Sequence, residues 1–313
     1  ALMFILRGIA VSLTFFVLIY CFLSVVVAAS WRSLKWRRAA EQTVADLLFA
    51  LRVVPLFASI IITVGFVVPS FQILEPRSID EGLGTLPLAL GVAALLLIAY
   101  GSYRGIAAQM RTSRIVARWL EGARPLDSCE EAITFRSRRE TPPLTLVGMR
   151  KPRVLVSELT VEVLSRDELH VALRHELAHI RSRDNLKKLL FRFSPFPGLA
   201  KLEAAWSEAA ELAADDAAVS SLSDAIDLAA ALVKLSRLFP AEAAPVCTVG
   251  FVTGSISSRV ARLLAWDDSG KSRQRRIPRW AAILPVVGIL FCAFVTYGPA
   301  LALTHEITEW LVR

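Results

Sequence analysis

Apolar positions crowd into four stretches of this chain, about 2–30, 47–71, 83–103 and 280–303, and polar ones collect between them. Each stretch reaches the roughly 20 residues that a helix needs to cross a bilayer core, so the pattern predicts four membrane-spanning helices. The first is too long for the core of a signal peptide, and no small-residue cleavage site followed by a polar start accompanies it. Between the third and fourth stretches, residues 104–279 carry a mixed pattern over a length suited to one domain. A helix continuing from the third span is expected over 106–120. Short β-prone runs follow at 132–136, 144–147 and 153–156, and the last two are separated by a turn from Gly148 to Pro152. Ser157 and Glu158 lead into a helix. Ser165-Arg166-Asp167-Glu168 then reads as a capping box opening a longer helix, expected to run to Phe193 before Pro195 and Pro197 stop it. Further helices are expected over 200–220, over 223–238 (capped by Ser223 or Asp224 and stopped by Pro240), and over 255–266. The fold class predicted is a mainly α membrane protein. Residues 1–103 form three transmembrane helices, 104–279 an inserted α+β domain, and 280–313 a fourth transmembrane helix with a short tail.

Composition removes the soluble alternative. Of the 313 residues, 55% are hydrophobic and the mean hydropathy is +0.52, which leaves too little polar sequence to cover four such helices. The charges then orient the chain. Arg32, Lys35, Arg37 and Arg38 follow the first span, whereas the next loop holds Glu75, Asp80 and Glu81 against Arg77 alone. Arg104, Arg111, Arg114, Arg118 and Arg124 follow the third span, and Lys271, Arg273, Arg275, Arg276 and Arg279 precede the fourth. Basic loops stay in the cytoplasm, so 104–279 is expected inside and both termini outside. The net charge of +8 is mostly juxtamembrane arginine facing anionic headgroups, and no direct nucleic-acid partner is expected. Arg7 and Arg52 sit within or near the ends of apolar runs and read as side chains snorkelling to the interface. Cys21, Cys129, Cys247 and Cys292 form no CxxC pair, which fits reduced thiols and excludes a cysteine zinc site. Because the chain opens on Ala1, a few preceding residues are expected to be missing.

The candidate chemistry lies in His175-Glu176-Leu177-Ala178-His179 and in Glu211-Leu212-Ala213-Ala214-Asp215. At helical spacing the two histidines share a face one turn apart, where both imidazoles can reach one metal ion. Glu176 stands beside the first of them as a general base for water at the metal's open position. This is the HExxH pattern of a zinc peptidase. A catalytic zinc takes a third protein ligand, for which Glu211 is the candidate. Asp215, one turn on, can accept a hydrogen bond from a ligand histidine and fix its tautomer. The chain has 4 histidines, and two lie here in an apolar context, where burial is costly unless they are paired or bound to metal. His170 and His305 read as ordinary polar residues.

The run PLTLVGMRKPRVLVS…LSRDELHVALRHELAHIRSRDN, then WSEAAELAADDAAV, resembles the BlaR/MecR family of bacterial integral-membrane metallopeptidases over essentially the whole chain. The motifs that carry the resemblance are a G-x-x-x-P turn before a strand, HELAH with Asp184 five residues on, and an E-x-x-x-D helix. The resemblance implies a cytoplasmic gluzincin-like domain in a bacterial inner membrane, with one zinc on His175, His179 and Glu211 and with Glu176 as base. Its expected partners are the lipid bilayer and a protein or peptide substrate: a transcriptional repressor, an anti-sigma factor, another membrane protein or the chain itself. The antibiotic transducers continue beyond their fourth span into an external penicillin-binding sensor, whereas this sequence stops about ten residues past it. It is therefore expected to be a truncation or a sensorless branch, and antibiotic sensing does not carry over. Arg259 is a candidate oxyanion stabiliser, with a solvated or lipid-facing arginine as the alternative. Asp184 can orient the motif helix or cap it with nearby arginines. Two other readings stand beside signalling proteolysis: quality control or processing of the HtpX and CAAX-protease kind, and a non-catalytic transducer in which zinc is structural. An intact Glu176 speaks against the last.

Overall fold

The computed structural model describes residues 2–34, 39–75, 84–125, 133–138, 141–148, 153–238, 249–250, 256–266 and 297–312. Three helical stretches among them are long and apolar enough to cross a membrane. Helix α1 spans Leu2–Ser30. Helix α2, Glu41–Ile62, passes through a wider π turn, Thr63–Val67, into α3, Val68–Leu74. Helix α4, Thr85–Leu120, is continuous, so the third span and the expected 106–120 helix are one rod. Most of the fourth expected span, 280–296, lies outside the described residues. The helix Tyr297–Val312 covers the remainder and runs past 303. It is tied to the second span by Tyr297 Oη donating to Gly65 O at 2.9 Å and by Ser70 Oγ donating to Leu301 O at 3.1 Å.

A five-stranded sheet follows, formed by β1 (Arg124–Pro125), β2 (Ile133–Ser137), β3 (Leu144–Val147), β4 (Arg153–Ser157) and β5 (Val249–Gly250), in the order β1-β2-β4-β3-β5. Only β2 and β4 run parallel. The Ser157 hydroxyl accepts from Thr160 N and starts α5, Glu158–Val163. The reciprocal capping box of Ser165 and Glu168 starts α6, Arg166–Ser182, satisfying two otherwise orphaned donors. Then come α7 (Asp184–Phe193), α8 (Ala200–Ala218), α9 (Leu222–Leu238) and α10 (Ile256–Leu264).

Two helix termini differ from expectation. The motif helix does not run unbroken to Phe193: it ends at Arg183, which is left-handed at φ 55°, ψ 39° and is the one non-glycine with positive φ among the described residues. That conformation costs roughly 1–2 kcal/mol for a residue with a Cβ. The break turns α7 out of line with α6 and brings Asp184 back over the last turn of α6. The cap of α9 is Ser221, whose Oγ accepts from Asp224 N at 3.1 Å. Asp224 itself is drawn away to Ser220 N and to Arg174.

One apolar core joins Leu146 and Val156 of the sheet to Leu173 of α6 and to Leu228, Leu232 and Leu235 of α9. A second mixes the apolar spans with the following helices, packing Val27 of α1 and Leu48 of α2 against Phe191, Leu199, Leu202 and Trp206. The snorkelling expected of Arg7 and Arg52 is not what occurs, because both are buried. Arg7 pairs with Glu75 at 3.1 Å, and Arg52 with Glu203 at 2.7 Å. A buried cation that finds a carboxylate has no need to reach the interface.

Candidate metal centre

The helical repeat sets His175 above His179, with ring centroids 4.8 Å apart and planes nearly perpendicular. Their Nε2 atoms come within 3.2 Å of each other. Helix α8 packs across α6 and delivers Glu211, whose Oε2 lies 3.5 Å from His175 Nε2 and whose Oε1 lies 3.8 Å from His179 Nε2. One donor atom from each of the three residues falls within 4.8 Å of the others, and all three side chains are buried. Two imidazole nitrogens and a carboxylate oxygen form a donor set that can hold a metal ion.

The outward ring nitrogens are held as well. His175 Nδ1 is 3.0 Å from Asp215 Oδ1, and His179 Nδ1 is 2.6 Å from Asp184 Oδ2. A carboxylate at each Nδ1 favours the tautomer that donates there and leaves the Nε2 lone pair aimed at the shared point. Asp184 therefore reaches a histidine, not the arginines considered for it, and it does so because of the break at Arg183.

Arg259, on α10, is buried and committed to these carboxylates. Its Nε donates to Asp215 Oδ2 at 2.8 Å, Nη2 to Asp215 Oδ1 at 2.6 Å, and Nη1 to Glu211 Oε2 at 2.9 Å. A solvated or lipid-facing arginine does not describe this geometry, since the buried fork closes on Asp215 and reaches Glu211. Of the other histidines, His170 is exposed, and His305 Nδ1 lies 4.0 Å from Glu75 Oε2.

The charges respond to this enclosure. Burial disfavours a charged His175, yet Asp215 and Glu211 outweigh it and push its pKa up to about 9. Burial likewise opposes ionisation of Glu211, but His175, His179 and Arg259 bring it down to about 2. The pKa of Asp215 is lowered in the same way, against burial, by His175 and Arg259. Glu176 is the exception. Burial is its dominant influence and pushes its pKa up to about 7, partly offset by His179 and His175. Its side chain is 0% exposed, and neither carboxylate oxygen has a hydrogen-bond partner among the described residues. A buried carboxylate without partners costs several kcal/mol, and beside a three-donor cluster this orphan fits a site built to hold a metal and its water.

The site thus brings together His175, Glu176, His179, Glu211, Asp215, Asp184 and Arg259. Sequence reasoning did not assign Glu203, Ser194 or a buried Arg52 any part in holding α8. The signal available was an arginine inside an apolar helix together with a glutamate near the start of the helix that carries Glu211. The family described as BlaR1 peptidase M56 matches residues 70–263, a stretch that contains every one of the site residues. No curated protein matches the chain.

Proposed function

The chain belongs to the BlaR1 peptidase M56 family, and from that premise we propose that it is an integral-membrane zinc endopeptidase cutting a cytoplasmic or membrane protein in signal transduction. His175, His179 and Glu211 are the zinc ligands. Zinc held there supplies Lewis-acid chemistry, lowering the pKa of water and polarising the scissile carbonyl. Glu176 takes the proton from the attacking water on its free carboxylate and returns it to the leaving amine. Asp215 and Asp184 hold the imidazoles with Nε2 inward, and Arg259 balances the negative charge of Glu211 and Asp215. Orphaned Glu176 carries this reading, because a purely structural metal site has no use for an unpartnered buried carboxylate beside its ligands.

The pairing on the side of β3 away from β4 supports a peptide substrate. Val249 and Gly250 pair antiparallel with Leu146 and Thr145, the way an extended substrate adds to a sheet. The flanking arginine clusters support a cytoplasmic position for 104–279 with both termini outside.

Glu176→Gln in the full chain, reconstituted in membranes, tests the proposal. Hydrolysis is expected to fall by about 10² to 10⁴, with bound zinc near one per chain as in wild type. Undiminished cleavage, or loss of zinc on this substitution but not on His179→Ala, would overturn it.

A further inference from the structure

The turn between α7 and α8 is gripped by all three apolar helices. From α1, Tyr20 Oη donates to Pro195 O at 3.0 Å. From α4, Gly101 and Gly105 lie flat against Phe193: a Cβ on Gly101 would come 2.4 Å from Phe193 O, and one on Gly105 2.5 Å from its ring. From α2, Arg52 spreads its guanidinium over the turn. Nη1 donates to Ser194 Oγ at 2.7 Å, Nη2 to Ser194 O at 2.7 Å and to Phe191 O at 3.3 Å. Nε and Nη2 also reach Glu203 Oε1, at 2.9 and 2.7 Å, and the Phe191 ring lies 5.3 Å beneath the guanidinium carbon.

This turn joins the two helices that complete the metal centre. Helix α7 begins with Asp184, the partner of His179, and ends at the turn. Helix α8 leaves the turn, passes Glu203 and carries Glu211 about 12 Å further along its axis. Carbonyls at the end of α7 attract a cation, and a guanidinium can satisfy several of them while holding a carboxylate on the next helix. A lysine has no such fork.

We propose that Arg52 is a positioning residue for the metal centre, setting from within the second apolar helix where α7 and α8 place Asp184 and Glu211. The inference rests on the zinc reading of the site. Helices behave as stiff rods, so a shift of their shared turn moves both groups together, and ligand sets tolerate only about 0.5 Å of misplacement. Arg7 is the natural comparison. It is the other buried arginine of the spans and pairs with Glu75, away from this turn.

The experiment uses the full chain in detergent micelles or nanodiscs. Zinc affinity is measured by chelator competition, and cobalt replaces zinc so that its visible absorption bands report ligand geometry. Arg52→Met is expected to weaken zinc binding about tenfold and to alter the cobalt spectrum. Arg52→Lys should fall between it and wild type, and Ser194→Ala should shift affinity by a smaller factor. Arg7→Met should lower thermal stability while leaving affinity and spectrum unchanged. Wild-type affinity and spectrum in monodisperse Arg52→Met would show that the arginine merely holds helices together and would overturn the proposal. If Arg52→Met does not fold, Arg52→Lys decides by the same criterion. A wild-type chain that binds no zinc removes the zinc reading and this inference together, whereas a wild type that binds zinc alongside unaffected Arg52 variants removes only the inference.

Discussion

Helix α8 is held by a buried arginine at each of two places, and the two grips differ in kind. Near its start, Glu203 meets Arg52, which also takes a hydroxyl and two backbone carbonyls. In its middle, Glu211 and Asp215 share Arg259, for which the carboxylates supply three short contacts. The first grip is chiefly geometric, because most of its acceptors are neutral and fixed to the turn. The second is chiefly electrostatic, because two ionised carboxylates beside two histidines need a compensating cation. A buried ion pair is a modest net stabiliser, but breaking one by removing a partner is severe. The same residue type thus aligns a helix at one end and balances charge at the other.

The sharpest way to break this comparison is Arg259→Met. Stripped of metal, that variant is expected to lose about 3–5 kcal/mol of stability, the cost of leaving buried carboxylates unpaired. Zinc should restore much of the loss, since it supplies positive charge to Glu211 and binds only the folded chain. Thermal unfolding with and without zinc measures both. An equal loss in the two conditions would show that Arg259 holds α10 in place without balancing charge at the site.

A smaller effect is expected from Asp184→Asn, which keeps the shape of the side chain and removes its charge from His179 Nδ1. Zinc affinity should fall about 10- to 100-fold with thermal stability of the metal-free protein close to wild type. Unchanged affinity would return Asp184 to a capping role.

The smallest, per unit of pH, is a pH dependence that needs no substitution. With its pKa pushed up to about 9, His175 carries a proton at pH 7 in the metal-free chain, and a metal at Nε2 must displace one. Below pH 9, therefore, each unit of rising pH should strengthen zinc binding up to tenfold, about 1.4 kcal/mol, and the gain should level off above it. Proton release on adding zinc in weak buffer at pH 7 checks the sign. Flat affinity from pH 7 to 9 would contradict it.

The sequence made the local features legible. Apolar length marks the three helices able to cross a membrane, Ser165 and Glu168 announce the start of α6, and the spacing of His175 and His179 puts their rings together whatever surrounds them. Features that depend on a distant partner were not legible. Arg52 finds Glu203 151 positions away, and Arg259 finds Glu211 at 48, so neither residue's neighbours in sequence reveal whether it is buried. The break at Arg183 was hidden for a different reason. Arginine has no special liking for the left-handed region, and the chain adopts it because the surrounding packing and the Asp184–His179 contact hold it there. Without that turn, Asp184 would continue along the motif helix and its contact with His179 cannot be inferred.

The close contact of Gly101 and Gly105 with Phe193 bears on how copies of the chain can associate. Two small residues four apart on an apolar helix make the seam through which many membrane helices self-associate. Here the seam is filled from within by the end of α7. A homodimer that packs through α4 must therefore use another face of that helix, or else compete for the seam with the end of α7 that fills it.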